Sequence, residues 1–174
     1  MIAADHQSSE AGMDENRKAM DGNVNEYLRW NFGVFPMKPG KRILEIGCGP
    51  GGHFEALLEW APKAYLGTDY RREFLGLSQQ RIAGRSNWRV EFLDILSRDF
   101  PGFLREEKWD LMICFDVLEH LADEILALKN IHGIMTATGA SEFFIRVPAI
   151  PWLLPPRREK SLILWSPFCE DLKN

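Results

Sequence analysis

Short apolar runs alternate with helical stripes along this chain, and that alternation predicts a parallel α/β sheet. The first run, Arg42 to Ile46, stops at a knot of glycines at positions 47, 49, 51 and 52. A helical pattern begins at once, with Phe54, Leu57, Leu58 and Ala61 at i, i+3, i+4 and i+7 before Pro62 ends it. Ala64 to Thr68 predicts a second strand finishing at Asp69. A helix follows from about Arg72 to Ala83, with Phe74, Leu75 and Ile82 along one side. Trp88 to Leu93 predicts a third strand closed by Asp94, and residues 97–107 a short helix. Asp110 to Phe115 reads as a fourth, fully buried strand ending at Asp116. Leu121, Ile125 and Leu128 mark a helical stripe up to about His132. Residues 136–139 then predict a turn into a fifth strand, Glu142 to Val147.

Five such strands joined by right-handed crossovers imply a Rossmann-like, doubly wound, mainly parallel sheet in three layers, α/β/α. Ligands of such sheets lie beyond the carboxyl ends of the strands. The candidate residues are therefore Gly47 to Gly52, Asp69, Asp94 and the segment Asp116 to His120. Ahead of the sheet, residues 1–13 have the composition of a disordered terminus. Residues 14–32 predict a helix carrying Tyr27, Leu28 and Trp30, and Pro36, Pro39 and Gly40 a loop.

Composition narrows the function more than the fold. A chain of 174 residues, 45% hydrophobic and 26% charged, suits one globular domain. A net charge of -4 gives no electrostatic reason to expect a nucleic-acid partner, and the pairs Arg71-Arg72 and Arg157-Arg158 read as solvated faces. No apolar run approaches the ~18 residues of a membrane span, and the polar N-terminus does not read as a signal peptide. Cys48, Cys114 and Cys169 are too scattered for a disulfide framework and read as reduced thiols, which points to a cytoplasmic protein. With no C-x-x-C pair and no histidine cluster, no metal site is expected.

The strand-end residues suggest specific chemistry. Asp69 stands where a carboxylate accepts from both ribose hydroxyls of an adenosine; the competing role is a helix cap. Asp94 can accept from an adenine amino group, or cap its own loop. Glu45, inside an apolar strand, requires a donor, which a ligand ammonium or a protein group can supply equally well. Of the cluster past strand four, His120 is the candidate general base, with Asp116 beside it; the competing reading is a helix-start histidine bonded to backbone or to Glu119.

The segments Ile43-Leu44-Glu45-Ile46-Gly47-Cys48-Gly49-Pro50-Gly51, Gly67-Thr68-Asp69, Phe92-Leu93-Asp94-Ile95 and Asp116-Val117-Leu118-Glu119-His120 resemble, in order and spacing, the class I S-adenosylmethionine-dependent methyltransferases. The likeness runs over residues 25–150, and 14–154 would form the cofactor-binding domain. It implies S-adenosyl-L-methionine as cofactor, S-adenosyl-L-homocysteine as product, and a small-molecule acceptor. By that resemblance Gly47, Cys48, Gly49 and Gly51, with Glu45 beneath, wrap the methionine part. Asp69 and Tyr70 would serve the ribose, Asp94 and Ile95 the adenine, and Phe115 would line the sulfonium. Tyr27 and Trp30 would close over the cofactor.

The chain departs from that family after strand five. Residues 155–174 form a divergent tail too short for the family's C-terminal hairpin and its helix, so the hairpin is truncated or replaced. The remaining apolar run, Leu162 to Trp165, either pairs as a strand or packs as a short helix. Otherwise strand five is a bare edge that invites a homodimer. Two rival functions remain open. One is a cofactor-binding module without an assembled acceptor site. The other is a nicotinamide oxidoreductase, since Gly47, Gly49 and Gly52 also satisfy G-x-G-x-x-G, although no Tyr-x-x-x-Lys pair accompanies them.

Overall fold

A computed structural model describes residues 39–98, 104, 107–140, 142–146 and 162–165. The expected N-terminal helix with Tyr27 and Trp30, the disordered 1–13 segment and most of the 97–107 helix lie outside these residues. The described elements are β1 (Arg42–Ile46), α1 (Phe54–Glu59), β2 (Ala64–Asp69), α2 (Arg72–Arg81), β3 (Trp88–Phe92), β4 (Leu111–Phe115), a single 3-10 turn (Leu118–His120), α3 (Glu124–Thr138), β5 (Glu142–Arg146) and β6 (Leu162–Trp165).

The six strands form one sheet in the order β3-β2-β1-β4-β5-β6. All pairs are parallel except β5 with β6, which is antiparallel. The strand order reverses between β1 and β4, the point where such sheets open a crevice for a ligand. Both faces of the central strands are buried, which explains their unbroken apolar runs. Leu44 and Ile46 of β1, Met112 and Cys114 of β4 and Phe143 and Ile145 of β5 join the core formed with α3. Ile43, Tyr65, Leu111, Ile113 and Phe115 project oppositely, into the core formed with α1. Side chains in a strand alternate faces, so one sheet builds two cores and three layers.

β6 settles how the tail meets the sheet. Arg146 opposes Leu162 and Phe143 opposes Trp165, so the tail itself occupies the β5 edge as a strand. Neither a short helix nor a second copy is needed to pair that edge.

The last helix differs from its expected form. It runs on to Thr138 and is capped by Gly139 in the left-handed conformation, φ 77°. Gly133 and two threonines lower local helix propensity, and this is why the sequence pattern ends at about His132. Burial of Ile134 and Met135 overrides that preference, and the Thr136 and Thr138 hydroxyls donate back to the carbonyls of His132 and Ile134. The inward face is Ala127, Ile131, Ile134 and Thr138, whereas Ile125 and Leu128 are exposed. Leu121 lies ahead of the helix; its start is set by Asp123, whose Oδ1 accepts from Leu126 N–H.

Candidate functional site

The loop after β1 is held from three sides. The Thr68 carbonyl accepts from the N–H groups of both Gly47 and Cys48, at 2.7 and 2.9 Å, tying the loop to β2. Ser78, the one fully buried residue of α2, donates to the Gly49 carbonyl at 2.6 Å. Asp69 Oδ2 accepts from Gly49 N–H at 3.0 Å. Gly47 has φ 76°, and a Cβ there would run into the Val117 side chain. Glycine is therefore required at this position twice over, by conformation and by space.

Beyond the loop lies a cleft of about 600 Å³. Gly47, Asp69, Tyr70, Asp94, Ile95, Asp116 and His120, all expected from the sequence, line it together. Apolar surface from Ile46, Leu93, Leu96, Val117 and Leu121 fills the gaps between them. Carboxylates from the ends of β2, β3 and β4 thus share one cavity with the backbone of the glycine loop.

Two of the acidic groups are held by backbone N–H groups. Asp69 is nearly buried, and its Oδ1 accepts from Arg71 N–H at 2.8 Å. An ionised carboxylate has about four acceptor positions, so capacity remains for two ligand hydroxyls after these two bonds. Asp94 Oδ1 accepts from Leu96 N–H at 2.9 Å, so the capping role weighed against adenine recognition is present alongside its place in the cleft wall. Asp116 takes φ 55°, a conformation rare outside glycine and costing about 1 kcal/mol or more. That strain sits where the chain turns out of β4 into the cleft.

Other expected site residues are close by but do not line the cleft. The Cys48 side chain is buried in the α1 core. Burial first, then the Glu45 and Asp69 charges, push its thiol far above the usual range, so it remains protonated. Gly49 and Gly51 are buried within the loop. Phe115 packs edge-on against His53, with ring centroids 5.6 Å apart. Glu45 is wholly inaccessible and meets protein donors, Tyr65 and His53.

Arg71 is exposed, as a solvated face requires, yet it also takes part in the cleft wall. Its guanidinium stacks on Phe74 at 3.7 Å, its Nε lies 3.6 Å from Asp69 Oδ1, and the residue lines the cleft. Nothing in a local basic pair signals this, because the stacking depends on the turn of the chain into α2. Ser78 and His53 were also missed. A serine in a polar helix and a histidine after a glycine run carry no periodic signal of their own.

A doubly wound sheet with a glycine loop at its switch point and acidic strand tips around one cleft defines a nucleotide-binding α/β domain. A family model described as "Methyltransferase domain" matches residues 44–140, and the chain belongs to that family. It is similar to a highly reducing polyketide synthase of Gibberella fujikuroi, 31% identical over 141 residues, 68% of this chain and 5% of the relative. It is also similar to the tRNA U34 carboxymethyltransferase of Campylobacter fetus subsp. fetus, 29% identical over 133 residues, 75% of this chain and 45% of the relative. A magnesium protoporphyrin IX methyltransferase from Synechocystis, crystallised with SAH, shares the fold with a TM-score of 0.54 at 19% identity, over 74% of this chain and 56% of that one. The chain spans about half or less of the length of these curated relatives. Among the described residues no helix is long and apolar enough to cross a membrane, and no cluster of potential metal ligands occurs.

Proposed function

We propose that this domain binds S-adenosyl-L-methionine and transfers its methyl group to a small-molecule acceptor. The observation that carries the reading is the convergence of Gly47, Asp69 and Asp94 on one cleft at the β1/β4 switch point. Asp69, pinned by two backbone N–H groups, presents its remaining acceptor positions to a ribose. Asp94, with Ile95 and Leu93 beside it, receives the adenine: the carboxylate accepts and the apolar side chains sandwich. The glycine loop lets backbone approach the remaining part of the ligand closely.

When bound, the cofactor supplies an already activated methyl on a sulfonium. The protein is asked for alignment, exclusion of water and at most one base. His120 and Asp116, at the end of β4, remain candidates for proton handling on the cleft wall.

The acceptor class is the finer part of the proposal. It is supported by the modest net negative charge, which argues against a nucleic-acid partner. One relative named for tRNA is the observation on the other side. The rival to the enzyme reading is a cofactor-binding module without turnover.

Calorimetric titration with S-adenosylhomocysteine and with NAD tests the cofactor. Binding of the first in the micromolar range without detectable NAD binding is expected, and a preference for NAD overturns the assignment. Turnover against a panel of small hydroxyl, amine and thiol acceptors then separates enzyme from module.

A further inference from the structure

A polar side chain interrupts the inward stripe of α3. Asn130 stands three residues after Ala127 and four before Ile134, both buried, and is itself half-buried. An amide placed there is costly unless it finds a partner. Its partners lie in the loop that follows β3. Asn130 Nδ2 donates to the Ile95 carbonyl at 2.7 Å and to the Ser97 carbonyl at 3.2 Å. Both acceptors are carbonyl oxygens, so the amide nitrogen and not the amide oxygen must face the loop. One side-chain NH2 group thus grips two peptide units of a single turn.

The same turn carries one end of the cleft. Asp94 and Ile95 line it together with Leu93 and Leu96, whereas Asn130 stands behind this wall and does not line the cavity. Within the turn, Ser97 N–H donates to the Asp94 carbonyl at 3.0 Å and Leu96 N–H to Asp94 Oδ1 at 2.9 Å. β2 holds the near side, where Leu93 N–H donates to the Asp69 carbonyl at 3.1 Å. The backbone that Asn130 grips is therefore the backbone that aims the Asp94 carboxylate and seats the Ile95 side chain.

We propose that Asn130 is a positioning residue for adenine: by holding the turn after β3 it fixes Asp94 where the carboxylate accepts from the exocyclic amino group. The proposal rests on the S-adenosylmethionine reading and deepens its adenine end. Asp94 is exposed, so water competes for its carboxylate, and a carboxylate on a turn that shifts would lose the amino group to solvent. Recognition of that one group depends on direction, whereas apolar contact with the purine ring tolerates small displacements. Loss of the Asn130 amide removes this tie between the turn and α3 and should weaken the amino contact selectively.

Calorimetry on the full chain, with S-adenosylhomocysteine and with its 6-deamino analogue (hydrogen in place of the amino group), reads that selectivity. The wild type should bind S-adenosylhomocysteine about ten-fold tighter than the analogue, or more. Asn130→Ala and Asn130→Asp both remove the amide donor; each should weaken S-adenosylhomocysteine about five-fold or more and the analogue by less than about two-fold. Equal losses for the two ligands, or no loss for either, overturn the role, as does a wild type that ignores the amino group. Where neither variant folds, the native chain labelled with nitrogen-15 gives the reading. Solvent exchange of the Asn130 side-chain amide protons should slow about five-fold under saturating S-adenosylhomocysteine and less than about two-fold under the analogue. Equal slowing by both overturns the role. Absence of S-adenosylhomocysteine binding to the wild type would instead strike the cofactor assignment beneath it.

Discussion

At the scale of single residues, this fold depends on small side chains placed where larger ones would collide. Gly67 shows it best, because its backbone is ordinary strand and only the missing Cβ matters. Replacing it with alanine puts a methyl group against the Tyr65 hydroxyl and Cys48, both of them buried. The clash falls on a phenol tied to Glu45, which has little freedom to move aside. Gly67→Ala is expected to cost about 1–3 kcal/mol, the usual range for overpacking a core. Chemical denaturation of both proteins checks it, and an unchanged midpoint would show that Tyr65 yields without loss. Sequence alone singles out Asp69 and Asp94 because a carboxylate at a strand tip interrupts an apolar pattern. It marks Gly67 only as part of the Gly67-Thr68-Asp69 segment and leaves His53 unmarked, since their contacts are made with partners 2 and 8 residues away in sequence or on a neighbouring strand.

Among the elements, strands announce themselves and helix faces do not. β4 is five apolar residues buried on both sides, and no other assignment fits such a run. The fifteen-residue α3 offers two competing stripes, Ile125 with Leu128 and Ala127 with Ile131 and Ile134. Periodicity accepts either stripe; the choice is made by the angle at which Asp123 starts the helix above β4 and β5. The two faces should differ sharply on truncation. Ile131→Ala is expected to destabilise the domain by about 2–5 kcal/mol, as for other buried aliphatic residues. Ile125→Ala, at an exposed position, should stay within about 0.5 kcal/mol. Thermal and denaturant melts of the pair measure both, and equal losses would place the inward face wrongly. The cleft was legible in the sequence to the same extent as the strands, because its acidic residues sit on strand ends. Its apolar filling from Leu121 was not, since that residue follows the 3-10 turn in an irregular segment and reads in the sequence as part of a helical stripe.

For the molecule as a whole, the decisive electrostatic feature is a set of acids kept neutral in the core. Cys48, Cys114 and Tyr65 are each pushed upward mainly by burial, with nearby carboxylates adding to the effect. In the unfolded chain they revert to ordinary values of 9.0 for the thiols and 10.0 for the phenol. The folded state then holds protons that the unfolded state gives up, so stability must fall as pH rises. Their full contribution is present below pH 9 and is lost progressively above it. Each group adds about 1.4 kcal/mol of destabilisation per pH unit once its unfolded form is ionised. Together they give a slope of about 4 kcal/mol per pH unit above pH 10, steep against the ~5–15 kcal/mol that holds a typical domain. Guanidinium melts from pH 7 to 11 should therefore show a plateau followed by a sharp decline. Tyr65→Phe should remove about a third of that decline above pH 10, whatever it costs at neutral pH. A wild-type profile flat to pH 11 would mean that these groups ionise in the folded state, and that the core around Glu45 admits water. The same burial that keeps Tyr65 a donor also keeps Glu45 tied to it, so the alkaline profile reports on the buried network beneath the glycine loop.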